Sequence, residues 1–184
     1  MIPEPCVAII GFFDGVHMGH RYLIQQVKEI AAAKGLRSAL VTFPVHPCKV
    51  MNAAYHPELL TTPEEKTNLL AGTGVDYCLM LDFTPDISRL TAKEFMTQIL
   101  KERFQVKYLV IGYDHRFGHN RSEGFDDYVR YGQAIGIEVI RAQAYTDDIQ
   151  IDTIQSAPVS SSLIRKLLHQ GDVDVAARCL GYEY

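Results

Sequence analysis

The sequence has no tryptophan, no apolar run of membrane length and no excess of basic residues. Its 22 Asp and Glu residues outnumber 18 Lys and Arg residues, so the net charge of −4 does not indicate a nucleic-acid partner. Because a spanning helix needs a long apolar segment, we expect no membrane-spanning part. The N-terminus also lacks the basic and apolar regions of a secretory signal.

Cysteine pairs and two common nucleotide-binding motifs are also missing. The four cysteines are scattered without a C-x-x-C pair, which is typical of free thiols in a reducing compartment, although four cysteines leave a disulfide open. We therefore predict a cytoplasmic location. Neither G-x-x-x-x-G-K-[ST] nor G-x-G-x-x-G occurs, which argues against a P-loop NTPase and an NAD-type dehydrogenase.

Short apolar segments alternate with amphipathic ones along the chain. This pattern predicts a single α/β domain over residues 1–184, with a doubly wound parallel sheet. The motifs at Thr62–Glu65 and Thr91–Glu94 predict helix starts, and Gly35 and Gly136 predict helix ends. The predicted strands are 7–10, 38–43, 77–81, 108–111 and 137–140. Ligands of such sheets bind beyond the carboxyl ends of the strands.

The stretch VAIIGFFDGVHMGH predicts a buried strand, a turn and a helix start, with breaks at Gly11, Gly15 and Gly19. Unpaired N–H groups at a helix start, next to glycines, form an anion site. His17 and His20 lie at its mouth and could donate hydrogen bonds to a phosphate. They could also be exposed turn residues or a structural metal pair, but no third ligand has zinc spacing. The combination favours phosphate binding.

The run from Gly11 to His20 resembles the G-x-F-D-G-x-H-x-G-H motif of bacterial FAD synthetases. These are the adenylyltransferase modules of bifunctional riboflavin kinase/FMN adenylyltransferases. The shorter H-x-G-H would indicate only the wider nucleotidyltransferase superfamily. The resemblance implies a Rossmann-like nucleotidyltransferase fold. The residues that it assigns to nucleotide binding in this stretch are Gly11, Phe12, Phe13, Asp14, Gly15 and Gly19.

Residues 159–166 predict the start of a last main helix, capped by serines, with an arginine one turn later. Hydroxyls and a guanidinium on one face form a second phosphate site, although a capped helix with a solvated arginine has the same pattern. The segment resembles the family's S-S-T-x-I-R motif, which binds the phosphates of ATP in that family. The resemblance implies this role for Ser160, Ser161, Ser162 and Arg165.

The loop at residues 44–47 contains two prolines, which predict an irregular segment without a helix. It resembles the family's F-E-P-H-P-R loop, which helps to bind flavin. His46 and Pro47 match that loop, whereas Cys48 stands where arginine is common. Equally, His46 could be a loop histidine whose hydrogen bonds go to the backbone.

Residues 112–121 resemble the family segment G-x-D-F-R-F-G-x-x-R, with His115 where an aromatic residue is common. Arg116 and Arg121 could neutralise phosphates. Asp114, expected at the carboxyl end of a strand, could hold a ribose hydroxyl, an amide or magnesium. The alternative is a polar surface loop that Phe117 anchors in the core.

Together the resemblances imply an FMN adenylyltransferase that makes FAD and pyrophosphate from FMN and ATP with Mg²⁺. They imply catalytic roles for His17, His20 and Arg165, with the metal ligand unknown. Another H-x-G-H adenylyl- or cytidylyltransferase, or a non-catalytic flavin-nucleotide-binding module, remains open. Residues 172–184 resemble the linker helix that leads to a riboflavin kinase domain, which we expect in full-length family proteins and not within this sequence.

Overall fold

The computed structural model describes residues 4–52, 54, 56–112, 115–145 and 158–184. Five strands form one sheet, and every neighbouring pair is parallel. They are β1 (Cys6–Ile10), β2 (Arg37–Thr42), β3 (Tyr77–Met80), β4 (Val106–Ile111) and β5 (Glu138–Arg141). Their order across the sheet is β3-β2-β1-β4-β5. The predicted fold class and the five predicted strands are confirmed, with bounds that differ by one or two residues.

Helices follow most strands and cover both faces of the sheet. Those in the first half are α1 (Met18–Lys34), α2 (Pro47–Met51), α3 (Pro63–Ala71) and α4 (Pro85–Arg89). Those in the second half are α5 (Ala92–Glu94), α6 (Phe125–Ile135), α7 (Ser161–Gln170) and α8 (Val173–Leu180). A π-helix, Phe95–Arg103, continues α5. None of the described helices is long and apolar enough to cross a membrane.

The predicted helix ends are confirmed where local capping chemistry determines them. Thr62 and Thr91 each form a capping box with the glutamate three residues later. Gly35 ends α1 in the left-handed conformation with φ 65°. The prediction that no helix forms in the segment 44–47 is wrong at its last residue. Pro47 is the first residue of α2, because proline suits that position and the His46 ring accepts a hydrogen bond from the Cys48 backbone.

Strand β1 is buried on both faces and separates two hydrophobic clusters. Ala8 and Ile10 pack on the face that the π-helix and α6 cover. Val7 and Ile9 pack on the opposite face, against α1 and α3. The sequence of β1 is therefore apolar throughout, as in other strands that are covered on both sides.

A third cluster joins α7 and α8 to Leu60, which precedes α3. Ala176, Cys179 and Leu180 of α8 are buried in it. The segment predicted as a linker, 172–184, thus contains a helix that packs against the domain. Its role as a linker stays a prediction.

The carboxyl ends of β1 and β4 define the ligand edge of this sheet. Strand β1 lies between β2 and β4, so the strand order reverses direction there. Doubly wound sheets bind ligands in the crevice at such a reversal, beyond the carboxyl ends of the strands. The turn after β1 and the segments after β2 and β4 all begin at this edge, as predicted from their positions in the sequence.

Candidate active site

The turn after β1 holds a strained backbone. Phe13 and Val16 have positive φ angles of 58° and 40°, and Gly15 lies at 77°. Such angles cost a non-glycine residue about 1–3 kcal/mol each, and a β-branched valine is especially unusual there. At Gly15 a Cβ atom would also lie 2.9 Å from Leu60 Cδ1. The turn therefore depends on contacts with the rest of the domain.

The buried carboxylate of Asp14 provides the central contact of the turn, and it is only 4% exposed. Its Oδ1 and Oδ2 accept hydrogen bonds from the Leu60 backbone N–H at 2.9 and 3.1 Å, and Oδ1 accepts another from Thr61 N–H at 3.3 Å. Arg165 Nη2 donates to Oδ2 at 2.9 Å. A buried carboxylate is tolerated when it is paired and hydrogen-bonded in this way. Asp14 thus joins the turn to the segment before α3 and to α7.

Other side chains hold the backbone of the same turn. Thr61 Oγ1 accepts from Gly15 N–H at 3.2 Å, and the Tyr182 hydroxyl donates to the Gly15 carbonyl at 2.7 Å. Ser161 Oγ donates to the Asp14 carbonyl at 2.9 Å. The backbone of the turn is therefore held by side chains that lie far along the chain.

His17 and His20 stack on each other, with ring centroids 3.6 Å apart. His17 precedes α1, and its Nδ1 accepts a hydrogen bond from His20 N–H at 3.3 Å, which leaves the proton of the neutral ring on Nε2. At Gly19 a Cβ atom would lie 3.2 Å from the His17 ring, so glycine allows this close approach. The ring pair is therefore fixed by the start of α1.

Both histidines are neutral near pH 7. Burial lowers the pKa of His17 to about 4, although the Asp14 carboxylate acts in the opposite direction. Burial, and then the neighbouring His17, hold the pKa of His20 well below its usual range. The two rings therefore offer hydrogen bonds rather than positive charge.

A cavity of about 300 Å³ opens at the carboxyl ends of β1 and β4. The turn contributes four predicted residues to its wall: Gly11, Phe12, Phe13 and Asp14. Other segments contribute four more predicted residues: His20, His46, Ser161 and Arg165. The structure thus brings eight of the predicted site residues together around one space.

Other predicted site residues that the structure describes do not line the cavity. Gly15, His17 and Gly19 shape the turn. Ser160 caps α7 by accepting from Leu163 N–H at 3.2 Å, and Pro47 begins α2. Ser162 is exposed.

The predicted residues after β4 contribute less to the described cavity. Arg116 and Arg121 are exposed, and Arg121 Nε donates to the Arg116 carbonyl at 3.1 Å. Asp114 lies outside the described residues. His115 does line the cavity, together with Gly112 and Leu23. The sequence assigned no site role to His115 and showed only that it stands where an aromatic residue is common in the family segment.

Lys66 of α3 is buried, only 2% exposed, and does not belong to the predicted site residues. Its Nζ donates to the Phe12 and Phe43 carbonyls at 3.2 and 2.8 Å and lies 3.7 Å from the Phe12 ring centroid. Burial lowers the pKa of Lys66 to about 8. This lysine therefore ties together the segments that follow β1 and β2. The sequence contained one indication that Lys66 is buried: it lies four residues before the buried Leu70, on the same helix face.

The starts of α1 and α7 meet at the cavity. His20 lies in the first turn of α1, and Ser161 and Arg165 lie in the first turns of α7. Helix N-termini carry unpaired N–H groups and partial positive charge, which favours an anion. The Arg165 guanidinium adds a full charge, and its Nε bond to the Glu58 carbonyl, at 2.6 Å, fixes its direction. The arrangement suits phosphate groups.

The described residues contain no cluster of acidic side chains for a metal ion. Asp14 is the one carboxylate among the described residues that line the cavity, and both of its oxygens already accept hydrogen bonds. No group of three or more His, Cys, Asp or Glu side chains is placed to hold a metal in the described part of the chain. Mg²⁺ therefore stays an implication of the resemblance.

Comparison with known sequences identifies similar proteins along almost the whole chain. The family model for FAD synthetase matches residues 1–158. The bifunctional riboflavin kinase/FMN adenylyltransferase of Listeria monocytogenes is 34% identical over 179 residues, which are 97% of this chain and 54% of that protein. The protein of the same name from Escherichia coli K12 is 32% identical over 181 residues, 98% of this chain and 56% of that protein. The chain thus spans about half the length of these relatives.

A solved structure has the same fold. A crystal structure titled as a macrolide-efflux protein from Streptococcus pneumoniae superposes with a TM-score of 0.83 and 29% sequence identity. The match covers 100% of this chain and 66% of that one. The architecture described above is therefore that of a known fold.

Exchange of Gly15 for alanine tests how tightly the turn is packed. Gly15→Ala and Gly35→Ala both place a side chain at positive φ, but only the first meets Leu60, since nothing lies within 4 Å of a Cβ at Gly35. We expect Gly35→Ala to cost about 1–2 kcal/mol of unfolding free energy. Gly15→Ala should cost about 1–3 kcal/mol more, because of overpacking. Urea denaturation measures both, and equal losses would contradict the packing argument.

The free energy of unfolding, measured at acid pH, tests whether the histidine pair is neutral. Because the pKa of folded His17 is about 4, below the value of 6.5 for an unperturbed histidine, the unfolded chain binds more protons between these pH values. The unfolding free energy should therefore fall as the pH drops from 6.5 to 4. The variant His17→Asn keeps a helix-capping side chain, and its curve should fall less steeply by about 1 kcal/mol per pH unit. Parallel curves in urea titrations would show that His17 is not neutral in the folded protein.

Proposed function

Because the chain belongs to the FAD synthetase family, we propose that it transfers the AMP group of ATP to the phosphate of FMN, which gives FAD and pyrophosphate. The observation that supports this most directly is the cavity where the starts of α1 and α7 converge. His20, Ser161 and Arg165 line that cavity from the two helices. The reaction joins two phosphate-bearing molecules, and helix starts of this kind favour anionic groups.

The proposed chemistry is a direct displacement at the α-phosphorus of ATP. A phosphate oxygen of FMN forms the new P–O bond, the bond to the β-phosphate oxygen breaks, and pyrophosphate leaves with the electron pair. A phosphate monoester loses its second proton at a pKa of about 6, so the nucleophile is already anionic at neutral pH. The reaction therefore needs positioning and charge stabilisation rather than a general base. Neutral histidines that donate hydrogen bonds suit this need.

His20 is the catalytic residue in this proposal. A neutral imidazole in the cavity wall donates an N–H to the oxygen of the α-phosphate, on which charge develops. His17 is a positioning residue, because its ring stacks on His20 and its Nδ1 binds the His20 backbone. Asp14 positions Arg165, whose remaining guanidinium N–H groups and the Ser161 end of α7 bind the ATP phosphates.

Flavin binding is proposed for the side of the cavity that follows β2. His46 lines the cavity there, and its ring packs edge-on against Phe12 with centroids 4.7 Å apart. Lys66 Nζ donates a hydrogen bond to the Phe12 carbonyl and lies near the same Phe12 ring. The resemblance assigns flavin binding to the loop with His46 and Pro47, and the position of His46 supports that assignment.

Three further expectations belong to the same proposal. Mg²⁺ enters with the phosphates of ATP, since such ions are commonly held by substrate phosphates, and no step above uses a metal bound by the protein. A riboflavin kinase domain accompanies this domain in the full-length protein, as the names and lengths of the relatives suggest. The reaction takes place in the cytoplasm, and the free thiols of Cys6, Cys48, Cys78 and Cys179 agree with a reducing compartment.

One assay tests this function against its alternatives. The purified chain is incubated with ATP, Mg²⁺ and either FMN, nicotinamide mononucleotide or phosphopantetheine, and dinucleotide and pyrophosphate are measured. We expect product only with FMN. Product with another phosphate would indicate a different H-x-G-H transferase, and FMN binding without pyrophosphate release would indicate a non-catalytic module. Riboflavin is the matched control, because it lacks the phosphate nucleophile.

Replacement of His20 tests its catalytic role. His20→Ala should lower kcat by about 10²–10³-fold with little change in the KM for ATP, because the donated hydrogen bond stabilises charge that develops in the transition state. The control His119→Ala changes an exposed histidine and should keep normal kinetics. A raised KM with unchanged kcat in His20→Ala would instead assign His20 to ground-state binding.

A further inference from the structure

Two imidazole nitrogens in the described structure are buried without a hydrogen-bond partner: His20 Nδ1 and His115 Nε2. Both rings line the same cavity. An unsatisfied buried polar atom costs a protein about 1–3 kcal/mol, and native structures contain few of them. His20 is already assigned to the phosphate chemistry. The His115 ring lines the cavity, and its buried Nε2 is a polar atom to which the proposed reaction assigns no partner.

A neutral His115 ring can form a hydrogen bond with an uncharged ligand group. Burial, and then the positive charge of Arg121, lower the pKa of His115 to about 4. The ring is therefore neutral at physiological pH, with one N–H donor and one lone pair. It contributes no positive charge for a phosphate. Its chemistry matches the edge of a heteroaromatic ring, where donors and acceptors are neutral and lie in one plane.

The neighbours of His115 in the wall are apolar. Gly112 presents bare backbone next to Leu23, since a Cβ at Gly112 would be in ordinary contact with Leu23 Cδ1 at 3.6 Å. The end of β1 supplies Ile10 to the same wall. The charged and hydroxyl groups of Arg165 and Ser161 come from α7 instead. Apolar side chains beside a few placed polar atoms are typical of a site for a planar ring.

The size and enclosure of the cavity indicate which ring binds there. FMN and ATP each carry a heteroaromatic ring, and the isoalloxazine is much larger than adenine. The cavity of about 300 Å³ lies at the lower end of the range for small-molecule sites. Its β2 side adjoins a loop in which Val45 is 45% exposed, whereas its β4 side contains the buried Nε2 of His115. The smaller ring fits the enclosed side.

We propose that His115 Nε2 hydrogen-bonds the adenine base of ATP, and that His115 thereby helps to determine which nucleotide the site accepts. This inference rests on the proposed function, because it takes ATP and FMN as the two ligands. It also gives a role to a residue at which the chain departs from the common family segment, where an aromatic side chain without this hydrogen bond is usual.

The test compares ATP with analogues that each lack one polar group of the base: purine riboside triphosphate and the 1-deaza, 3-deaza and 7-deaza forms of ATP. Dissociation constants are measured by calorimetry without FMN, so turnover is not required. The unmodified protein should bind one of these analogues about tenfold more weakly than ATP, because that analogue leaves His115 Nε2 unpaired. If all four analogues bind as ATP does, the proposal is wrong, and this result requires no variant.

Variants of His115 test whether this residue is the group that distinguishes ATP from the weakly bound analogue. His115→Phe should bind ATP about tenfold more weakly and should no longer distinguish ATP from the affected analogue, with an unchanged KM for FMN. The matched control His119→Phe alters an exposed histidine of the same segment and should behave as the unmodified protein. His115→Gln keeps a polar side chain, and thermal unfolding shows whether each variant is folded.

The results that would contradict the adenine contact can be told apart from those that would contradict the proposed function. A raised KM for FMN alone in His115→Phe would place the flavin at His115, and unchanged values for both substrates would mean that water satisfies Nε2. Either result overturns the inference. If FAD forms but the analogues all bind equally, only this inference fails. If no FAD forms and the analogues still differ through His115, the proposed function fails and the nucleotide contact stands.

Discussion

The ion pair between Asp14 and Arg165 is the contact on which the site depends. It joins a strained turn near the N-terminus to a helix near the C-terminus, at 2.9 Å and largely out of water. The Asp14 carboxylate is buried while the Arg165 side chain is 28% exposed, so removing Arg165 would leave a buried negative charge without its partner cation. The pair therefore has two effects at once: it stabilises positive φ angles in the turn, and it orients a guanidinium toward the cavity.

Different groups of the cavity supply positive charge and neutral hydrogen-bond donors. Positive potential comes from Arg165 and from the starts of α1 and α7, which meet at the cavity. The histidines are neutral because the protein buries them, so they add directional donors without adding charge that would compete with Arg165. Such a division suits a reaction between two anions, in which ground-state attraction and transition-state stabilisation are separate requirements.

Local sequence patterns predicted most of the fold, and the family resemblance predicted eight of the residues that line the cavity. Strands, capping boxes and terminal glycines depend on neighbours within a few residues, and the motif residues Gly11 to His20 follow one strand directly. Lys66 was missed because its partners, the Phe12 and Phe43 carbonyls, lie 54 and 23 residues away. The bond from Tyr182 to Gly15 was missed for the same reason, since it spans 167 residues. No local pattern encodes such a pairing.

That long span has a consequence for biosynthesis. A ribosome synthesises β1 and its turn before α7, and the bonds from Ser161, Arg165 and Tyr182 to that turn span 147, 151 and 167 residues. Until those residues emerge, nothing from α7 or from Tyr182 balances the strain at Phe13 and Val16. Closing such long loops is entropically expensive and late. The bonds that join this turn to α7 and to Tyr182 therefore form only after all five strands of the sheet have been synthesised.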